Sequence, residues 1–517
     1  MRKTACCVLV SLITLTSSVR AQTGACVAAS PFDFAHGLRW TGWSPDLGNT
    51  RFQNTTQAGM TAADVPKLKL RWAFGFPSST GAYSMATFAG GRLFVGSQDG
   101  TVYSLDARTG CIVWQFKAAG GVRAAVVLDG NTAYFGDIRA NVYAVEAVTG
   151  KVLWTRKVDD HPFARITGSP SFYGNRLYVP VSSFEEGQGG NAQYECCTFR
   201  GSIVALDAVT GSVRWKTFTI ADVPKEIGKN PSGSIRRGPS GVAIWSAPTI
   251  DLKRRVLYAA TGNMYTEPQQ STSDAVLAID LEKGNIVWAA QVTPKDVFVV
   301  GCNTPNGANC PADVGPDFDF GNSPMLRSLT STRDIIVIGQ KSGVGWALDP
   351  DKRGSVVWQY RAGQGSELGG MEFGSAVDAD HAYFPVSDFL APQPGGLHAV
   401  KLATGERVWY AAPPALKCPA GRGCNAALSA AITAIPGVVF TASMDGGVRA
   451  YSSKDGSVLW EFDTNRPFET VNSVPAKGGS INGPGPMVAG GMLFISSGYS
   501  MFGGRAGNVL LAFGIEP

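Results

Sequence analysis

The residues best equipped for chemistry are an adjacent cysteine pair and a few oxygen-bearing side chains on the same long stretches of chain. Cys196 and Cys197 lie in YECCTFRG. Glu185 follows an apolar run in VPVSSFEEGQGG, Asn263 follows another in LYAATGNMYTEP, and Asp317 and Asp319 share GPDFDFGNSP. Carboxylates and amide carbonyls are the ligands a hard cation such as calcium takes. Alternate residues of an extended segment point to one side, so Asp317 and Asp319 face together. Close carboxylates repel, and a cation or a shared proton relieves the repulsion. Singly each is an ordinary loop residue; as a set on successive loops they suggest a metal centre. Adjacent cysteines close no loop of any length, so a bond between Cys196 and Cys197 would serve a local purpose. A reduced, buried pair is the alternative.

The elements that must position these residues are announced by a repeat. VYSLDARTGCIVW ends at Trp114, VYAVEAVTGKVLW at Trp154, and IVALDAVTGSVRW at Trp215. The same pattern ends at Trp288, Trp358, Trp409 and Trp460, each time with glycine four residues before the tryptophan. An alternating apolar strand, a tight glycine turn and a second strand make a β-hairpin. The tryptophan can pack between neighbouring sheets while its single N–H reaches a backbone carbonyl. An eighth unit is split: LKLRWAF near the start supplies Trp72 and GNVLLAF at the end supplies the incoming strand. Termini that share one unit close a ring, so the spacing predicts an all-β, eight-bladed β-propeller rather than a linear solenoid. The first two tryptophan spacings are 42 and 40 residues, the next three are 61, 73 and 70, and the last two are 51 each. A four-stranded blade takes about 40 to 45. The excess between Trp154 and Trp358 is therefore loop, where a rigid scaffold carries its chemistry.

Composition agrees. Of 517 residues, 63 are glycine and only 16% are charged, which suits short strands and tight turns. The net charge of +5 is scattered, which argues against nucleic acid as a partner. The N-terminus MRKTACCVLVSLITLTSSVRAQTG has a basic start, a short apolar run and a small residue at Ala21. It reads as a signal peptide, residues 1–21, preceding one propeller domain over 22–517 with a lead-in segment over 22–65. No stretch is long enough for a membrane span. Cleavage would remove Cys6 and Cys7, and export to the periplasm or beyond makes disulfides plausible. Cys302 and Cys310, and Cys418 and Cys424, bracket short loops; Cys26 and Cys111 then pair by elimination, leaving Cys196 with Cys197. No CxxCH occurs, so no attached c-type haem is encoded.

The docking repeat LDAxTGxxxW resembles that of the pyrroloquinoline quinone (PQQ) alcohol dehydrogenases over essentially the whole mature chain. TGSP…VSSFE is similar to the family segment that places quinone-binding hydroxyls on Thr167 and Ser182 and a metal ligand on Glu185. IWSAPTID…TGN resembles the segment that puts a tryptophan under the quinone, here Trp245, and an amide metal ligand, here Asn263. DFD implies Asp317 as catalytic base and metal ligand, with Asp319 as the extra ligand of lanthanide-using members. GQKSG places Lys341 beside the reactive quinone oxygens, and GVRAAV places Arg123 on a quinone-binding arginine. By the same resemblance an adjacent-cysteine disulfide lies flat on one quinone face, so Cys196–Cys197 is expected to wall a slot opposite Trp245. The methanol-oxidising branch carries its pair just before the residue equivalent to Arg123, where this chain has AAGG. GWSPDLGNTRFQ, YECCTFRGSIVALD and GPDFDFG look most like the polyvinyl alcohol dehydrogenases.

The resemblance implies oxidation of alcohol groups to ketone or aldehyde. A metal, calcium or a lanthanide, polarises the quinone, Asp317 takes the alcohol proton, Lys341 steadies developing charge, and PQQ takes the hydride. Lacking a haem domain, the chain would pass electrons to a separate cytochrome c. The rival reading is a non-enzymatic propeller scaffold of the outer-membrane-assembly type, which needs the docking repeats but none of Glu185, Asn263, Asp317 and Lys341. A PQQ sugar dehydrogenase is a weaker third. Glu372 in GGMEFG stays outside the expected set, and loop lengths do not choose between polymer and small alcohol.

Overall fold

A computed structural model describes residues 24–302, 307–419 and 423–515. The expected leader, with Cys6 and Cys7, lies outside the described residues. The alternating segments form antiparallel sheets, and eight of these are the blades of a propeller. Seven are built from strands close together in the sequence. The eighth orders Met487–Ala489, Met492–Ser497 and Val509–Gly514 and then takes Lys69–Gly75 from the other end of the chain, with Trp72 opposite Ala512. Splitting one blade between distant segments joins the first blade to the last and leaves no open edge.

The register explains the repeat. Every docking tryptophan stands opposite a small residue, Ser104 for Trp114 and alanine for the other seven, and a bulge follows each pair. A small partner leaves the indole room to leave its own sheet and lean onto the next blade. There Trp114 Nε1 donates to Ala147 O at 2.9 Å and Trp358 Nε1 to Leu402 O at 3.0 Å. The turn glycine receives the ring. A Cβ on Gly150 would lie 2.8 Å from Trp114 Cε3, and its φ of +75° is left-handed. One residue type thus serves the turn of its own blade and the docking of the blade before.

The lead-in segment is part of the fold. Trp40 pairs with Phe88. Further along, Thr41, Leu47, Gly48, Thr50 and Arg51 carbonyls accept from Leu128, Ile250, Leu326, Val377 and Ala434, all at 2.8 to 2.9 Å. Those partners belong to the first strands of six blades. A single short segment can reach six blades only where their first strands converge, on the propeller axis.

Candidate active site

Second strands of three consecutive blades, Arg176–Ser183, Val256–Ala260 and Asp334–Gly339, run in the same sense. Their ends therefore emerge on one face of the ring. They deliver Ser182 and the one-turn helix Glu185–Gln188, Asn263, and Lys341. The long loop before Met325–Ser328 brings Asp317 and Asp319 to the same place. Asp296 shapes that loop: its carboxylate accepts the Asp317 N–H at 3.0 Å and the Phe318 N–H at 2.6 Å, and Asp317 adopts φ +58°.

Lys341 is the centre. Its Nζ lies 3.2 Å from Asp317 Oδ1 and 3.4 Å from Asp319 Oδ2, and 5.6 Å from the Trp245 ring centroid. Trp245 Nε1 donates to Asp319 Oδ2 at 3.0 Å, and the Asn263 backbone N–H donates to Asp319 Oδ1 at 2.7 Å. Two glycines permit this crowding. A Cβ on Gly262 would meet Asp319 Oδ1 at 2.7 Å, and one on Gly321 would overlap Trp245 Cη2. The Asn263 amide nitrogen is committed to the Met264 and Phe298 carbonyls, so its oxygen is the end left for another partner.

Glu185 does not join this group. Its carboxylate accepts from Tyr194 Oη at 2.7 Å, from the Phe199 N–H at 2.7 Å and from the Thr198 N–H at 2.9 Å, with His161 Nε2 at 3.4 Å. Burial pushes its pKa up, but His161 and the two amides outweigh that and hold it below the ordinary value. Its neighbour Glu186 faces the centre instead. Burial and the Asp319 charge push Glu186 up to about 8, against the pull of Lys341 and an Asn263 hydrogen bond. Adjacent residues of a helical turn point about 100° apart, so only the backbone decides which of the two glutamates turns inward.

Cys196 and Cys197 are bonded to each other and fully buried. The other three pairs are also formed as spaced in the sequence. The cysteine backbone is stitched to Ile235 and Arg237 of a hairpin, and the two residues that follow supply the amides that clamp Glu185. The pair shares an apolar cluster with Trp245, yet it does not line the cavity beside that ring. The pair thus packs in one apolar cluster with Trp245 and leads into the amides that clamp Glu185.

That cavity is walled by Arg123, Thr167, Trp245 and Phe373, among others. The Arg123 guanidinium lies 5.3 Å from the Phe373 ring centroid, and Phe373 meets Trp245 edge to face at 5.8 Å. Thr167 Oγ1 and Ser182 Oγ are 2.7 Å apart. Glu372, next to Phe373, is raised to about 7 by burial, with Lys341 and Arg123 pulling the other way. Glu186, Asp296 and Phe373 had no motif of their own; the doubled glutamate in FEEG was the one available signal.

Among the described residues no group of three or more His, Cys, Asp or Glu side chains is already arranged to hold a metal ion. The donor set nevertheless fits a hard cation. Asp317 and Asp319 contact the Lys341 ammonium, and Glu186, Asp296 and Glu372 lie within reach of its charge. Burial and the surrounding carboxylates raise Asp317 well above its ordinary value, although Lys341 opposes them. Burial disfavours the Lys341 charge, but Asp317, Asp319 and Glu186 overcome this. A cation beside the carboxylates and the Asn263 oxygen would relieve the excess negative charge.

A family model described as outer membrane protein assembly factor BamB matches residues 56–290, 239–415 and 393–515. A polyvinylalcohol dehydrogenase of a Pseudomonas species is 45% identical over 506 residues, covering 94% of this chain and 78% of the relative. One from a Sphingopyxis species is 39% identical over 515 residues, covering 95% and 78%. The chain belongs to the polyvinylalcohol dehydrogenase family of quinoprotein alcohol dehydrogenases. The quinohemoprotein alcohol dehydrogenase of Comamonas testosteroni shares the fold, with a TM-score of 0.65 at 17% identity over 92% of this chain and 80% of that one. Membership in the polyvinylalcohol dehydrogenase family gives the buried Asp–Lys–Trp centre a context that a propeller scaffold would not require.

Proposed function

We propose that the chain is a PQQ-dependent dehydrogenase that oxidises secondary alcohol groups, those of polyvinyl alcohol or related alcohols, to ketones. The observation that carries this reading is the buried contact of Lys341 with Asp317 and Asp319 against the Trp245 ring. Asp317 accepts from Lys341 through Oδ1 at 3.2 Å, and its Oδ2 is the atom that would take an alcohol proton. Lys341 opposes the burial that raises Asp317 and supplies positive charge where negative charge would develop. Arg123, Thr167, Ser182 and Trp245 would hold and orient the quinone, Trp245 by its flat face. Glu186, Asn263, Asp317 and Asp319 would hold calcium or a lanthanide. When bound, PQQ supplies a two-electron acceptor for the carbinol hydride and the metal supplies Lewis acidity.

The acceptor of the electrons is a separate cytochrome c in this reading, and the mature chain works in the periplasm or outside the cell. Four disulfides support an oxidising compartment. Among the described residues no helix is long and apolar enough to cross a membrane.

The test is reconstitution. Purified chain with PQQ and calcium or a lanthanide should reduce a dye in the presence of polyvinyl alcohol or secondary alcohols. Asp317→Asn should still bind PQQ, with turnover lowered by about 10²- to 10⁴-fold. Failure to bind PQQ with any cation would sink the enzyme reading, and full turnover in Asp317→Asn would remove Asp317 as base.

A further inference from the structure

The axial lead-in segment reaches the site. Trp43 belongs to it, and its half-buried ring is a wall of the cavity that also holds Arg123, Thr167, Trp245 and Phe373. A Cβ on Gly374, the residue after Phe373, would lie 3.0 Å from Trp43 Cζ2, so the indole is pressed against that loop. Trp43 also borders a second cavity, a groove of about 300 Å³ walled by the lead-in segment and by Val127 and Phe172. Trp43 is therefore a wall that the two cavities share.

Arg51 fixes that wall. It is fully buried, and among the described residues its guanidinium meets carbonyl and hydroxyl oxygens rather than a carboxylate. Its guanidinium donates to the Trp43 carbonyl at 2.8 Å, the Ile432 carbonyl at 2.6 Å, the Pro484 carbonyl at 2.9 Å and Thr433 Oγ1 at 3.1 Å. The same group lies 4.6 Å from the Trp43 ring centroid and 5.6 Å from that of Trp40. Burial brings its pKa down to about 9, so it stays charged at neutral pH. A buried guanidinium is tolerated where every N–H finds an acceptor and an aromatic face offers its negative quadrupole. Here that arrangement ties Trp43 to the last two blades while the Trp43 ring faces the cavity.

We propose that Trp43 is a binding residue for the flat cofactor, with Arg51 as its positioning residue, so that the lead-in segment is the far wall of the site and closes the axial channel behind it. This rests on the PQQ reading above. An aromatic wall offers a planar ligand a stacking or edge contact that an aliphatic wall of similar size lacks. It also blocks escape of the ligand, and entry of water, from the groove side.

Equilibrium dialysis of PQQ against the full chain with calcium tests it, with circular dichroism and thermal melting checking that each variant is folded. Trp43→Leu fills much of the volume without an aromatic face, and Trp43→Phe restores one. The expected result is PQQ affinity reduced at least tenfold in Trp43→Leu and restored to within about threefold of the parent in Trp43→Phe, both variants being folded. Equal affinity in parent and folded Trp43→Leu overturns the proposal, as does a Trp43→Phe chain that is folded and binds as weakly as Trp43→Leu. Absence of PQQ binding to the parent would instead overturn the function on which the proposal rests.

Discussion

At the scale of single residues, the site turns on which of two adjacent glutamates faces inward. Glu185 is consumed by Tyr194, Thr198, Phe199 and His161, whereas Glu186 senses Asp319, Lys341 and Asn263. The two should fail differently. Glu186→Gln should weaken cation binding at least about tenfold, read by calorimetric titration, with little change in the melting temperature. Glu185→Gln leaves amide donors and a ring nitrogen facing a neutral, half-donor side chain, and should cost about 2–3 kcal/mol of stability in urea denaturation. Cation affinity falling only in Glu185→Gln would return the ligand role to Glu185. The types Glu, Asn, Asp and Lys were legible in VSSFEEG, TGN, DFD and GQKSG. The choice between Glu185 and Glu186 was not, because one step along a helical turn changes direction without changing composition.

At the scale of elements, the hairpin repeat was readable because one glycine satisfies two demands. Gly150 needs its left-handed φ for the turn and its bare Cα for the Trp114 ring. Gly130, also left-handed at φ +54°, has nothing within 4 Å of a built Cβ. Gly150→Ala should therefore cost about 2–4 kcal/mol, and Gly130→Ala about 1 kcal/mol, as the difference in urea midpoints multiplied by the common slope. Equal losses would mean that the ring contact carries no energy. The Cys196–Cys197 segment was legible as a pair but not as an element. Its function as a bridged segment presenting Thr198 and Phe199 to Glu185 depends on the Ile235–Gly238 strand, some 40 residues on.

At the scale of the whole molecule, pH acts on stability through groups that folding strips of water. His398 is buried beside Tyr360 and Tyr410, with Tyr360 Oη 2.9 Å from its Nδ1. Burial and then the Arg407 charge bring its pKa from 6.5 to about 4. The unfolded chain thus binds a proton below about 6.5 that the folded chain refuses until about 4. The stability His398 allows is present above 6.5 and is lost as pH falls towards 4, by up to about 3 kcal/mol. His398→Gln should flatten the acid side of the melting temperature against pH; an unchanged slope between pH 6.5 and 4 would refute the assignment.

The sequence by itself determined the eight blades, the split blade that closes the ring, the pairing of the cysteines and the residue types at the centre. Each of these is written locally, as strand alternation, a turn glycine, or a motif at a strand end. Only the tertiary structure decided that Tyr194, Thr198 and Phe199 hold Glu185, that the cysteine pair joins the apolar cluster of Trp245, and that the lead-in segment carrying Trp43 runs across the first strands of the blades. Those outcomes depend on contacts between segments hundreds of residues apart, such as Arg51 with Ile432 and Pro484. No local pattern encodes them, because they follow from where the ring closes and what its closing leaves room for.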